Sequence, residues 1–252
     1  MKFKLALGTT FGAVLIGSLI AHVPASWLWQ QMPPVKGLKV AGISGTPWQG
    51  VASQVRWQEQ NLGRVQWDMS LAALLTGKAS FAVRFGKGSD LAFDGRGTVG
   101  YGTSGPFAEN LLVSVPAQNI LKYARAPIPA TVAGNFELTV RDYQYQAPYC
   151  SALDGSLAWT SANISSPLGG INPGPVTAEL SCDQGQLTAL ASQSSADISS
   201  DWQASLAANQ SYSLNGWFKP GAEFPPQLGK QLKWLGNPDS KGRYKIAYNG
   251  RL

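Results

Sequence analysis

The only histidine, His22, follows a long uncharged stretch near the N-terminus, so no imidazole is available to the remaining 230 residues of this 252-residue chain. Ser-His-Asp and Cys-His nucleophiles both need an imidazole as general base, and zinc centres draw on His or on grouped cysteines. Those chemistries are therefore excluded from the body of the chain. The carboxylates, among them Asp68, Asp90, Asp94, Glu109, Glu137, Asp142, Asp154 and Glu179, are scattered and show no metal-ligand spacing. A paired-carboxylate hydrolase would need the fold to bring two of them together. Gly95-Arg96-Gly97-Thr98-Val99-Gly100 has the glycine density of a phosphate loop, but it lacks the Lys-Ser/Thr pair and opens no helix. Hairpin-turn chemistry is the expectation there. No catalytic residue, metal or cofactor is expected.

Three other groups of residues carry chemical information. Cys150 and Cys182 are the only cysteines, and in an oxidising compartment a disulfide between them is the default. Nine tryptophans are present. Trp57, Trp67, Trp159 and Trp217 fall at strand positions, where an aromatic fills a sheet face; the alternative is that they line an apolar groove. Residues 219–252 hold seven Lys/Arg against Glu223 and Asp239. They form either a solvated basic face or a docking surface for an acidic partner or anionic headgroups, with Lys230, Lys233, Lys241 and Arg243 as the candidates.

The N-terminus assigns the compartment. Lys2 and Lys4 precede an uncharged run over residues 5–21, followed by Trp27 and Trp29. Seventeen helical residues span roughly 25 Å against a hydrocarbon core of ~30 Å, so Val23 and the interfacial tryptophans would complete a crossing. Residues 1–4 are then cytoplasmic, 5–25 a transmembrane signal-anchor of a bacterial inner membrane, and 26–252 a periplasmic domain. The competing reading is a signal peptide cleaved near Val23-Pro24-Ala25. Both readings export the domain.

Only 13% of residues are charged while 28 are Gly and 16 are Pro, which suits many short strands and turns. The net charge of +6 comes without a Lys/Arg cluster interleaved with aromatics, so a nucleic-acid partner is not expected. Period-two apolar runs occur over residues 51–57, 65–67, 81–85, 91–93, 111–115, 136–145, 157–159, 176–181 and 212–218. Separated by Gly-containing turns, they predict antiparallel strands with one buried face. Helical spacing is confined to residues 70–75, capped by Ser70, to 117–123 and to 226–235. Residues 167–175 are expected to be a long turn and 192–200 a polar connection. The expected fold is mainly β: a curved antiparallel sheet with a few short helices behind an N-terminal transmembrane helix.

At several places the motifs resemble those of the type II secretion system protein N family. These are the N-terminal segment, Gly45-Thr46-Pro47-Trp48-Gln49-Gly50, Val65-Gln66-Trp67-Asp68 leading into Leu74-Leu75-Thr76-Gly77-Lys78, the paired cysteines, and Leu235-Gly236-Asn237-Pro238-Asp239 with Gly242-Arg243-Tyr244-Lys245-Ile246. The resemblance implies a non-enzymatic inner-membrane subunit that supports export of folded proteins across the outer membrane, in contact with inner-membrane components or the secretin. A shorter likeness to AsmA-like and TamB-like proteins implies an alternative, a sheet whose Trp-bearing face handles lipid.

Overall fold

The computed structural model of the chain describes residues 12, 15, 17–19, 21–124 and 130–251. The anchor expected over residues 5–25 falls mostly outside them, and among the described residues no helix is long and apolar enough to cross a membrane. From Leu38 onward the chain is built almost wholly of strands. They are β1 (Leu38–Gly45), β2 (Gln49–Trp57), β3 (Gln60–Met69), β4 (Ala79–Lys87), β5 (Asp94–Gly102), β6 (Gly105–Pro116), β7 (Thr131–Gln144), β8 (Ala152–Ser166), β9 (Gly169–Ile171), β10 (Val176–Asp183), β11 (Gln186–Ser194), β12 (Ile198–Leu206), β13 (Ser211–Pro220) and β14 (Tyr244–Arg251). All join one antiparallel sheet in sequence order, with β9 a short appendage of β8, and the sheet ends at β1 and β14 without closing.

Directly opposed residues on neighbouring strands share a face. Followed across the sheet, the pairing links Ile43, Ala52, Val65, Phe85, Gly95, Val113, Leu138, Leu157, Ala178, Ala191, Trp202, Gly216 and Ile246 in one unbroken row. Every member is apolar or glycine. The adjacent row on the other face runs Ser44, Val51, Gln66, Arg84, Arg96, Leu112, Thr139, Ser156, Glu179, Leu190, Gln203, Asn215 and Ala247, and is largely polar. The sheet is thus two-faced from edge to edge, as the alternation requires.

The glycine-rich segment at residues 95–100 is a strand, β5, and not the expected hairpin turn. A Cβ at Gly95 would lie 2.3 Å from the Phe85 ring, so the ring occupies the place of the missing side chain. The same substitution of a neighbour's ring for a side chain occurs at Gly50, where a Cβ would meet Trp67 at 2.4 Å. Aromatics lying across opposed glycines keep a strand packed although it has few side chains of its own. Other expectations shift too. Residues 91–93 belong to the connection before β5, residues 192–200 are largely the ends of β11 and β12, and β9 forms within the turn at 167–175.

The three expected short helices form, and a further one, α1 (Ala25–Gln31), begins just after Pro24. Ser70 caps α2 (Leu71–Leu74) by accepting the N–H of Ala73, and α3 (Ala117–Ala124) packs on β6 and β7. The last piece, α4 (Pro226–Gln231) running into a 3-10 turn Leu232–Leu235, projects from the β13–β14 connection. Few side chains are fully enclosed. Among the described residues the buried apolar ones are Ala25, Ala52, Phe107, Ala108, Ala117, Val140, Cys150, Ala162 and Phe218, so most of the apolar face is only half-buried.

Candidate interaction surfaces

The segment 45–50 turns the chain from β1 into β2. Thr46 donates its N–H to the Gln49 carbonyl at 2.8 Å, and Gln49 Nε2 donates to Asp68 on β3 at 3.0 Å. Trp67 lies over Gly50, and its indole N–H is shared between the carbonyls of Thr46 and Pro47 at 3.2 and 3.1 Å. That satisfies the one polar atom of a large apolar ring. Beside it, α1 lies on the apolar face. Ala25, Leu28, Trp29 and Met32 face Ile43, Pro47, Trp67 and Phe81 across a niche of about 320 Å³.

The C-terminal motif is a second self-contained construction. The Asp239 carboxylate accepts the backbone N–H groups of Lys241 and Arg243 at 2.9 Å each and Arg243 Nε at 2.8 Å. The Arg243 guanidinium also lies 5.2 Å from the centre of the Trp217 ring, in cation–π contact. The Arg243 backbone N–H and then its side chain, with the Lys241 N–H, pull the Asp239 pKa down to about 2. An unfolded aspartate titrates at ~3.9. The folded value is the lower one, so these bonds contribute fully above pH ~4 and are lost as the pH falls through about 2. On acid titration of wild type, Trp217 fluorescence is expected to change in that window; Asp239→Asn should abolish the step, and an identical step in the variant would refute the assignment.

The candidate docking cations therefore separate. Arg243 is committed to Asp239 and Trp217, and Lys241 sits exposed in the same turn. Lys230 and Lys233 are exposed on α4 and the turn after it, beside Trp234 and Leu235, which are 86% and 61% exposed. Nothing in the sequence signals the exposure of Trp234.

The four candidate groove tryptophans separate as well. Trp67 belongs to the apolar face, as does Trp159, which stacks on Phe136 with centroids 5.4 Å apart and donates to the Ala133 carbonyl at 3.0 Å. Trp217 pairs with Asp201 and Lys245 and is on the polar face. Trp57 ends β2 opposite Leu38. The tryptophan that continues the apolar row is Trp202, lying over Gly216. On the polar face a depression of about 590 Å³ is lined by Gln66, Asp68, Arg84 and Arg96, and a second of about 660 Å³ by Glu179, Gln203, Asn215, Trp217 and Lys245. Among the described residues no three His, Cys, Asp or Glu side chains are grouped to hold a metal.

Cys150, in the β7–β8 connection, is bonded to Cys182 near the end of β10, so the bridge ties that connection across β8.

Comparison with known proteins covers nearly all of this architecture. The family model described as "Type II secretion system (T2SS), protein N" matches residues 36–247. The type II secretion system protein N of Vibrio cholerae is 40% identical over the whole of both chains. Those of Aeromonas hydrophila and Pectobacterium carotovorum are 31% and 27% identical, again over both full lengths. No solved structure matches.

Proposed function

The chain belongs to the type II secretion system protein N family, and from that premise we propose that it supports export of folded proteins across the outer membrane by docking on other subunits of the machine. The family is a non-catalytic component of that system. In this reading residues 1–4 lie in the cytoplasm, residues 5–25 hold the chain in the inner membrane, and residues 26–252 work in the periplasm, where a disulfide persists. The observation that carries the docking reading is the exposure of apolar and basic groups together on the α4 excursion, with Lys230 and Lys233 beside Trp234 and Leu235. An exposed Trp among lysines is the composition of a protein contact more than of a solvated surface.

The test is the location of a secreted exoprotein in a strain lacking this chain. Exoprotein retained in the periplasm, with the outer membrane still excluding a bulky hydrophobic compound, is expected. Normal secretion would overturn the proposal.

A second reading, lipid handling as in AsmA-like and TamB-like proteins, is favoured by one observation: an apolar row that crosses the sheet without a second layer over most of it. It expects a leaky outer membrane with secretion intact, and lipid retained by the purified chain in native mass spectrometry. A chain that comes through without lipid would sink it.

A further inference from the structure

The two free edges of the sheet are built differently. Beside β1 packs α1, and Gly42 within it has φ +63 with a would-be Cβ 2.8 Å from the Ser53 side chain. A covering helix and an irregular backbone are both means of blunting an edge against pairing. β14 has neither. It runs in unbroken register with β13 from Tyr244 opposite Phe218 to Arg251 opposite Ser211, with no proline and no left-handed residue. Among the described residues no backbone hydrogen bond from outside the sheet reaches residues 244–251. A strand paired on one side presents a row of unmet N–H and C=O groups on the other.

We propose that this β14 edge is a docking site for an extended strand of a partner protein in which apolar residues alternate with acidic ones. The inference deepens the docking function and rests on it. On the apolar face the incoming strand meets Tyr244, Ile246 and Tyr248, two of them already held by rings of β13. Tyr244 stacks on Phe218 at 5.3 Å and Tyr248 lies 5.9 Å from Tyr212. On the polar face it meets Lys245 and Arg251, which form no ion pair among the described residues. Cross-strand charge pairs favour a carboxylate opposite each. A second copy of this chain fits worse. Antiparallel self-pairing that keeps the faces continuous and centres on Tyr248 sets Lys245 against Arg251, and centring on Ala247 sets Arg251 against Arg243. Both oppose cation to cation.

The probe is a labelled, end-blocked peptide of alternating valine and glutamate as long as β14, with a valine–lysine peptide as its counterpart, added to the full-length protein in detergent. Binding by fluorescence anisotropy, with hydrogen-exchange protection gained within residues 244–251, is expected. Charge reversal by K245E with R251E should weaken the glutamate peptide about tenfold and admit the lysine peptide. Three results would overturn the proposal: no protection of β14, protection of β1 in its place, or binding indifferent to the reversal. Self-association that protects β14 without peptide would assign the edge to a second copy and also overturn it. The two readings fail separately. Normal secretion in the strain lacking the chain defeats the docking function whatever the peptide does, whereas defective secretion there and normal secretion with K245E and R251E defeats only the edge.

Discussion

Replacing Cys150 or Cys182 with alanine lowers the stability of the fold by about 3–4 kcal/mol, the chain-entropy value for a loop of this size. The cysteines are 32 residues apart in sequence, and their bond closes a loop containing β8, β9 and most of β10. Cutting it releases the unfolded chain and, in the folded state, leaves the β7–β8 connection without its covalent tie at Cys150, a residue only 1% exposed. For a domain of this length the melting temperature should fall by roughly 10 °C. Thermal melts by circular dichroism with and without reductant, beside thiol titration of the wild type, make the measurement. An unchanged melting temperature with two titratable thiols would show that no bridge forms in the cell.

The second large effect is expected at Phe107 on β6, a large aromatic that is only 8% exposed. Its ring lies over Gly100, where a Cβ would come within 2.6 Å, and Lys78 Nζ stands 5.2 Å from its centroid. Lys78 is also 3.7 Å from Glu109. A glycine below and a lysine stem above do here what a second layer does in a sandwich, sheltering an aromatic on the polar face. Phe107→Ala removes that ring with little nearby to collapse into the space, at about 3–4 kcal/mol. Lys78→Ala, losing one exposed ion pair and one cation–π contact, should cost less than about 1.5 kcal/mol. Urea unfolding of both variants tests the ordering, and a Phe107→Ala penalty no larger than that of Lys78→Ala would contradict this account of the packing. The Leu-Leu-Thr-Gly-Lys element thereby acquires a structural use for its last residue.

Much of the strand content is legible in the sequence because alternation is a local property. The runs containing Trp57, Trp67, Phe85, Val113, Trp159, Leu180 and Trp217 each fall within a strand, and the one containing Leu138 passes the end of β7 by a single residue, Tyr145. The Ser70 cap and the helix at Ala117–Ala124 are legible for the same reason. Several of the strands that alternation does not mark have their signal supplied by a neighbour or by small side chains. β5 has glycines that the Phe85 and Phe107 rings fill, and β11 and β12 oppose Ala191 to Trp202 and Ala189 to Ala204. β14 is hidden because its Tyr-Lys-Ile-Ala-Tyr run follows a basic turn and reads as part of one cationic tail.

The candidate surfaces divide along the same line. That Lys230, Lys233, Lys241 and Arg243 are numerous and close in sequence is a matter of composition. That Arg243 is spent on Asp239 and Trp217 depends on a turn closing over β13. Which tryptophans share a face depends on register, which is set between strands far apart in the chain, and a shift of one residue would exchange the faces. By itself the amino-acid sequence determined the β class, the disulfide pair, the absence of an imidazole for catalysis and the family motifs, because each resides in residue type or short-range spacing. Only the tertiary structure decided that thirteen strands align one apolar row, that β1 is blunted while β14 is open, and that Trp234 stands in solvent. Those properties arise from pairing and coverage between distant segments, which no local pattern encodes.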